Sequence, residues 1–288
     1  MENQSQKNGV IPLLGEAVSL LLKNPAVSVP FITIIFFELL ILEFCYFSTR
    51  FPLVNFMGPV IQKLWGVVFL HYPNNLFLLP KMIYPLQVAF FLLAGNFLMA
   101  VSAVALSLVV QNQKAELGHA RRIALPKYFH VLVAAILFLV VFLFLNQSYS
   151  LLMARAFKIK STSGMFFMLK AVIIYGAPYF NLLLGCFATA LFAFFVPFLV
   201  IAKKNLFSAL ISNFKLLFKN FGKVLLIVLI PTIFYIPFLV MRASINEIAN
   251  VTSQEMRVWI IAVGYIMTGI IDAIIYTALT KFFLSNKE

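Results

Sequence analysis

Charge is scarce in this 288-residue sequence: Asp, Glu, Lys and Arg make up 11%, and only nine residues are acidic. A soluble domain carries roughly 25% charged residues, so soluble enzymes and soluble binding modules are disfavoured at once. Cysteine is nearly absent. Cys45 and Cys186 stand inside separate apolar runs with no C-x-x-C or Cys/His spacing, which signals neither a disulfide framework nor a metal site. The three histidines, His71, His119 and His130, show no ligand spacing and read as interfacial or structural groups. No G-x-S-x-G elbow, Gly-rich phosphate loop or paired-carboxylate arrangement occurs, so catalysis has no signature, and neither metal nor cofactor is implied.

What the chain has instead is apolar mass, 63% hydrophobic residues with 33 phenylalanines. It comes in uncharged blocks: 32 residues between Lys81 and Lys114, and another 32 between Lys170 and Lys203. A spanning helix needs about 20 apolar residues to cross roughly 30 Å of hydrocarbon. Six stretches qualify: 29–47, 88–110, 129–147, 172–201, 222–241 and 258–280. Pro178 and Pro197 predict a tilt or kink in the fourth, and Pro231 and Pro237 lie in the fifth. The runs are continuous rather than alternating, which disfavours a β-barrel. Residues 1–9 lack the order of a cleaved signal peptide, so the first apolar run is expected to be a retained span. The expected fold class is an all-α polytopic membrane protein of about six transmembrane helices, forming a single membrane domain over 1–288.

The net charge of +13 is scattered between apolar blocks, which suits anionic lipid headgroups and not nucleic acid. Membrane lipids are therefore the expected partners, with another membrane protein as a second candidate. With the N-terminus inside, the inner segments carry thirteen Lys and Arg residues, Lys7 and Lys287 among them, and the outer segments nine. That bias places both termini in the cytoplasm and the chain in the cytoplasmic (inner) membrane. In the outer segments, Met57 to Tyr72 reads as an amphipathic or re-entrant helix. Tyr149 to Lys160 reads as a short surface helix with snorkelling Arg155, Lys158 and Lys160.

An internal repeat is present. Leu-Leu-x-Lys-Asn recurs at 20–24 and 216–220, each time after an amphipathic stretch and before an apolar span. In the second copy Phe207, Leu210, Ile211, Phe214, Leu217 and Phe218 recur at helical spacing, against Ser208, Ser212, Asn213, Lys215 and Lys219 on the opposite face. A weaker third copy, Gly118 to Lys127, precedes the third span. The expected architecture is a parallel, pseudo-threefold repeat of an interfacial helix plus two spans, with units near 10–110, 111–201 and 202–288.

These turn and span signals, Leu22-Lys23-Asn24-Pro25, Pro197 to Ile201, Ser208-Ala209-Leu210 and Lys219-Asn220-Phe221, resemble the prokaryotic six-helix proteins of the glycerophosphodiester-phosphodiesterase membrane-domain type and related uncharacterised families. The resemblance implies a fold. The phosphodiesterase activity belongs to a catalytic domain that some members add, and this sequence shows no such domain.

Ionisable groups at membrane depth cost about 2.5–3.5 kcal/mol each on insertion scales, which makes them site candidates. Glu38 and Glu43 lie in the first span, and Asp272 in the middle of the sixth. One reading turns Asp272 and Glu38 inward beside Asn96 and Asn181 as a proton- or cation-coupled path. The plain alternative pairs or neutralises them within the bundle. Gly264 and Gly269 offer close helix approach. Function follows as a non-enzymatic membrane component organising lipid or a partner, with Lys23, Arg121, Arg122, Lys215 and Lys219 touching headgroups. The competing expectation is a small transporter or channel subunit built on the acidic site.

Overall fold

Apolar runs in hydrocarbon must satisfy their backbone internally, and a helix does so within one segment. The computed structural model, which describes residues 9–158 and 164–286, contains no strand among those residues. Five helical stretches are long and apolar enough to cross a membrane: Pro25–Phe47, Asn74–Val110, Leu117–Phe157, Ala177–Val200 and Met256–Ser285. A sixth is reached only by a pair bent through 87°, Leu206–Lys219 and Phe221–Ile233. The protein is thus an all-α, multi-pass membrane protein.

The chain opens with α1 (Val10–Lys23) and the spanning α2 (Pro25–Phe47). The expected outer helix is α3 (Val54–Trp65), which stops at Gly66, where φ is +102°, before a short 3₁₀ turn; that φ favours glycine. α4 (Asn74–Phe90) runs through one π turn, Phe91–Gly95, into α5 (Asn96–Val110). Within that turn the Leu93 carbonyl accepts the Tyr128 hydroxyl at 2.9 Å. α5 is the central post. Every residue from Ala100 to Leu108 is buried, and the run of Ala, Ser and Val lets neighbouring backbones approach closely. It meets α2, and also α6 (Leu117–Ala124), α7 (Tyr128–Phe157), α10 (Phe195–Val200) and α15 (Met256–Ser285).

The expected surface helix at 149–160 is not separate. α7 continues to Phe157, past exposed Asn146, Gln147 and Ser148, and α8 (Met165–Tyr175) packs back on it. The Tyr149 hydroxyl donates to the Ile173 carbonyl at 2.7 Å. Leu151, Leu152 and Phe157 remain exposed, as do Phe166 and Met168 of α8; Lys160 lies outside the described residues. The fourth span is kinked, as its prolines suggest, between α9 (Ala177–Leu191) and α10. The fifth is cut short. α12 (Phe221–Ile233) has 13 residues, about 20 Å at helical rise, and a turn at Phe234 and Tyr235 separates it from α13 (Ile236–Ala243) and α14 (Ile245–Val251). Pro231 and Pro237 each remove a backbone donor there.

The repeat has a structural counterpart. α1 and α11 (Leu206–Lys219) both contain 14 residues and end at an asparagine. The Asn24 amide donates to the Leu20 carbonyl at 3.0 Å and the Asn220 amide to Leu216 at 3.2 Å. Each side chain closes a helix C-terminus, and the next helix starts one residue later. The third copy has no such asparagine, and α6 runs through a 3₁₀ turn at Leu125–Lys127 into α7 as one 41-residue helical stretch. All three amphipathic helices lie at one end of the bundle. Glu16 of α1 ion-pairs with Lys281 near the end of α15. The Lys127 ammonium, after α6, donates to the Lys203 and Lys204 carbonyls just before α11, at 3.4 and 3.3 Å.

Candidate functional site

The sequence pointed to acidic and amide groups at membrane depth, and the fold brings two of them together. α7, α9, α12 and α15 enclose a cleft of about 320 Å³ lined by Phe138, Phe142, Asn181, Cys186, Thr189, Thr232, Tyr235, Thr268, Ile271 and Asp272, among others. Asp272 lies near the midpoint of the 30-residue α15, yet it is exposed where it opens on the cleft. Neither a hydrogen bond nor an ion pair engages its carboxylate among the described residues. Tyr235 reaches the wall because the α12–α13 turn falls beside it. The Thr232 hydroxyl donates to the Val228 carbonyl at 2.7 Å, and the Cys186 sulfur lies 3.5 Å from the Thr232 oxygen. Cys186 and Cys45 are buried, unpaired thiols.

Glu38 and Asn96 do not line this cleft. Glu38 is half-buried on α2, within electrostatic reach of both Asp272 and Tyr265. The α2–α15 contact explains its place: a Cβ built at Gly269 would overlap the Ile35 side chain, one turn before Glu38. Gly264 approaches Phe238 as tightly, so both glycines serve the close packing expected of them. Asn96 begins α5 just after the π turn, and its buried amide nitrogen has no hydrogen-bond partner among the described residues. Glu43 is exposed near the α3 end, beside Phe44 and Phe47.

One polar residue was placed on the wrong face by its chemistry. Asn213 was expected among the polar side chains of the amphipathic helix, but it is fully buried. Ala209, Asn213 and Leu217 form the buried stripe of α11, while Phe207 and Phe218 are 74% and 71% exposed. The Asn213 carbonyl oxygen accepts the Phe194 N–H at 2.9 Å, and its amide donates to the Leu191 carbonyl at 2.7 Å. It thereby satisfies the backbone of the break between α9 and α10. The small Ala209 one turn earlier is the sequence signal for close approach. At the opposite end Arg257, counted from sequence as an outer cation, is also buried. It donates to Asn246 at 2.6 Å and Gln254 at 3.1 Å, over the Phe77 ring at 4.3 Å.

The five residues expected to touch headgroups, Lys23, Arg121, Arg122, Lys215 and Lys219, are all exposed on or at the edge of α1, α6 and α11. Ile11 and Leu22 of α1 are exposed too, at 75% and 81%. Nearby, the Lys114 ammonium lies 3.0 Å from Glu116, and its hydrogen bond holds that carboxyl below its ordinary value. Among the described residues no three His, Cys, Asp or Glu side chains gather to hold a metal ion. No family model, curated protein or solved structure matches the chain.

Proposed function

We propose that this protein is a non-enzymatic integral membrane component that organises anionic lipid around its basic end. One observation carries the reading: the amphipathic helices α1 and α11, at one end of the bundle, expose apolar side chains (Ile11, Leu22, Phe207, Phe218) together with Lys23, Lys215 and Lys219, and α6 at the same end exposes Arg121 and Arg122. A helix of that kind sinks its apolar face to the acyl boundary and keeps its cations at the headgroups. Each such cation contributes about 1 kcal/mol near an anionic leaflet, so five amount to roughly 5 kcal/mol at low salt. In this reading the basic end faces the cytoplasm, in the cytoplasmic membrane, and a membrane protein partner docks, where one exists, through lipid-facing helices. The test is reconstitution in nanodiscs of mixed phosphatidylglycerol and phosphatidylcholine, with retained lipid counted by native mass spectrometry. Phosphatidylglycerol should be enriched around the wild type and depleted around a variant carrying Gln at 121, 122, 215 and 219. Equal retention by both would sink the proposal.

The cleft favours a second reading, movement of a proton or cation past Asp272 and Asn181, because those two groups line one cleft between apolar helices. Flux into liposomes that Asp272→Asn abolishes would support it. Flux that survives the substitution would count against it.

A further inference from the structure

The Asp272 carboxylate stands in mid-membrane with no cation among the residues lining its cleft. An uncompensated charge at that depth is expensive, so a positive group supplied from outside the chain would stabilise the ionised carboxylate. We propose that the cleft binds a small organic ammonium bearing an apolar body, either a free amine or the head of an aminophospholipid. The proposal names the ligand of the second reading above, but it needs binding only and not transport.

The lining determines the class. In the same lining as the carboxylate, Asn181, Thr268 and Tyr235 offer oxygen acceptors for the N–H groups of a primary ammonium. Phe138 and Phe142, stacked with ring centres 6.3 Å apart, line the same cleft, and aromatic faces attract ammonium ions. Apart from Thr189 and Thr232 the rest of the lining is apolar and suits a hydrocarbon body. A hard inorganic cation asks for six or more converging oxygens and would leave the aromatic and aliphatic part of the lining unused. The volume of about 320 Å³ lies at the lower end of the small-molecule range. The turn at Phe234 and Tyr235 agrees with this, because non-helical backbone at membrane depth is tolerated where it lines a cavity.

The experiment uses the full chain in a maltoside detergent, with thermal unfolding followed against added n-octylammonium or n-octanol. Octylammonium should raise the wild-type melting temperature at concentrations at least tenfold lower than octanol. Asp272→Asn should erase that difference, while Lys281→Gln, far from the cleft, should keep it. Should Asp272→Asn fail to fold, Asn181→Leu and the wild-type charge comparison decide the matter. Native mass spectrometry separates the sources: phosphatidylethanolamine retained by the wild type and lost in Asp272→Asn identifies a lipid head, and amine binding without such retention identifies a soluble amine. Equal effects of octanol and octylammonium on the wild type, or an Asp272→Asn protein that binds octylammonium undiminished, overturn the proposal. Flux is not read in this assay, so a binding site that moves nothing remains distinguishable from no site.

Discussion

Replacing Asn213 by leucine keeps the branched outline and the number of side-chain heavy atoms and removes both hydrogen bonds to the α9–α10 break. The Phe194 N–H and the Leu191 carbonyl then face hydrocarbon. If the loss followed the mean for side-chain hydrogen bonds between membrane helices, about 0.6 kcal/mol each, the pair would cost about 1.2 kcal/mol. Leaving a buried backbone group unsatisfied costs about 1–3 kcal/mol, so two such groups cost roughly 2–6 kcal/mol. The second figure should govern. Phe194 is fully buried, and the backbone around it is already committed, with Ala193 N–H to Ala190 at 3.3 Å and Phe195 N–H to Phe192 at 3.1 Å. Neither water nor a re-formed helix can take Asn213's place. Reversible unfolding in mixed detergent micelles should therefore show a loss of about 3 kcal/mol for Asn213→Leu. Ser208→Ala on the exposed side of the same helix should stay within about 0.5 kcal/mol of wild type. A loss below about 1 kcal/mol for Asn213→Leu would refute the reasoning and leave the break self-supporting.

Three further outcomes follow from the packing and the charges. Gly269→Ala should cost about 1–3 kcal/mol through overlap with Ile35, and the double substitution with Ile35→Ala should cost less than the sum of the two, measured in one unfolding cycle. Arg257→Met should cost about 2–3 kcal/mol, because it strips two charge-assisted bonds, and should raise hydrogen exchange selectively across α14. Glu116 has a lowered carboxyl pKa, so its contact with Lys114 is present above the ordinary carboxylate value and lost as pH falls through the folded value. Both side chains are well exposed, so Glu116→Gln should melt at the wild-type temperature at pH 7 and at pH 4, and a difference at pH 7 would contradict this.

The spans were legible because a continuous apolar run at membrane thickness has one structural solution. α2, α5 and α15 needed no tertiary knowledge. The asparagine elbows at Asn24 and Asn220 were legible as a repeat, since their geometry is local, an amide reaching a carbonyl four residues back. What was hidden depends on partners distant in sequence. Asn213 looks like a solvent-side residue until the kink at 192–194 is placed against it, and nothing in the apolar pattern says that this break needs a donor and an acceptor. The same limit applies to the cleft. Asp272 and Asn181 were both conspicuous as polar groups in hydrocarbon, but whether they meet depends on how α9 and α15 pack. Glu38 and Asn96 were equally conspicuous and lie elsewhere, because α2 and α5 do not contribute to that wall. The fifth span was overestimated for a local reason: two prolines six residues apart can kink a helix or end it, and only the neighbouring contacts decide which.

The long α6–α7 stretch has a consequence for the membrane around it. Its 41 residues reach about 62 Å at helical rise, and even a 40° tilt leaves roughly 47 Å to fit against about 30 Å of hydrocarbon. Tyr128 to Leu145, about 27 Å, fills one bilayer. Asn146, Gln147 and Ser148 form a polar collar, and a second apolar band lies beyond it on Leu151, Leu152, Phe157 and the exposed Phe166 and Met168 of α8. Two bands separated by a collar make the protein sensitive to hydrophobic mismatch. A thin bilayer ends at the collar and leaves the second band among headgroups, while a bilayer a few ångströms thicker begins to immerse it, at fractions of a kcal/mol per ångström. The thickness of the surrounding bilayer therefore sets how much of the second band is immersed.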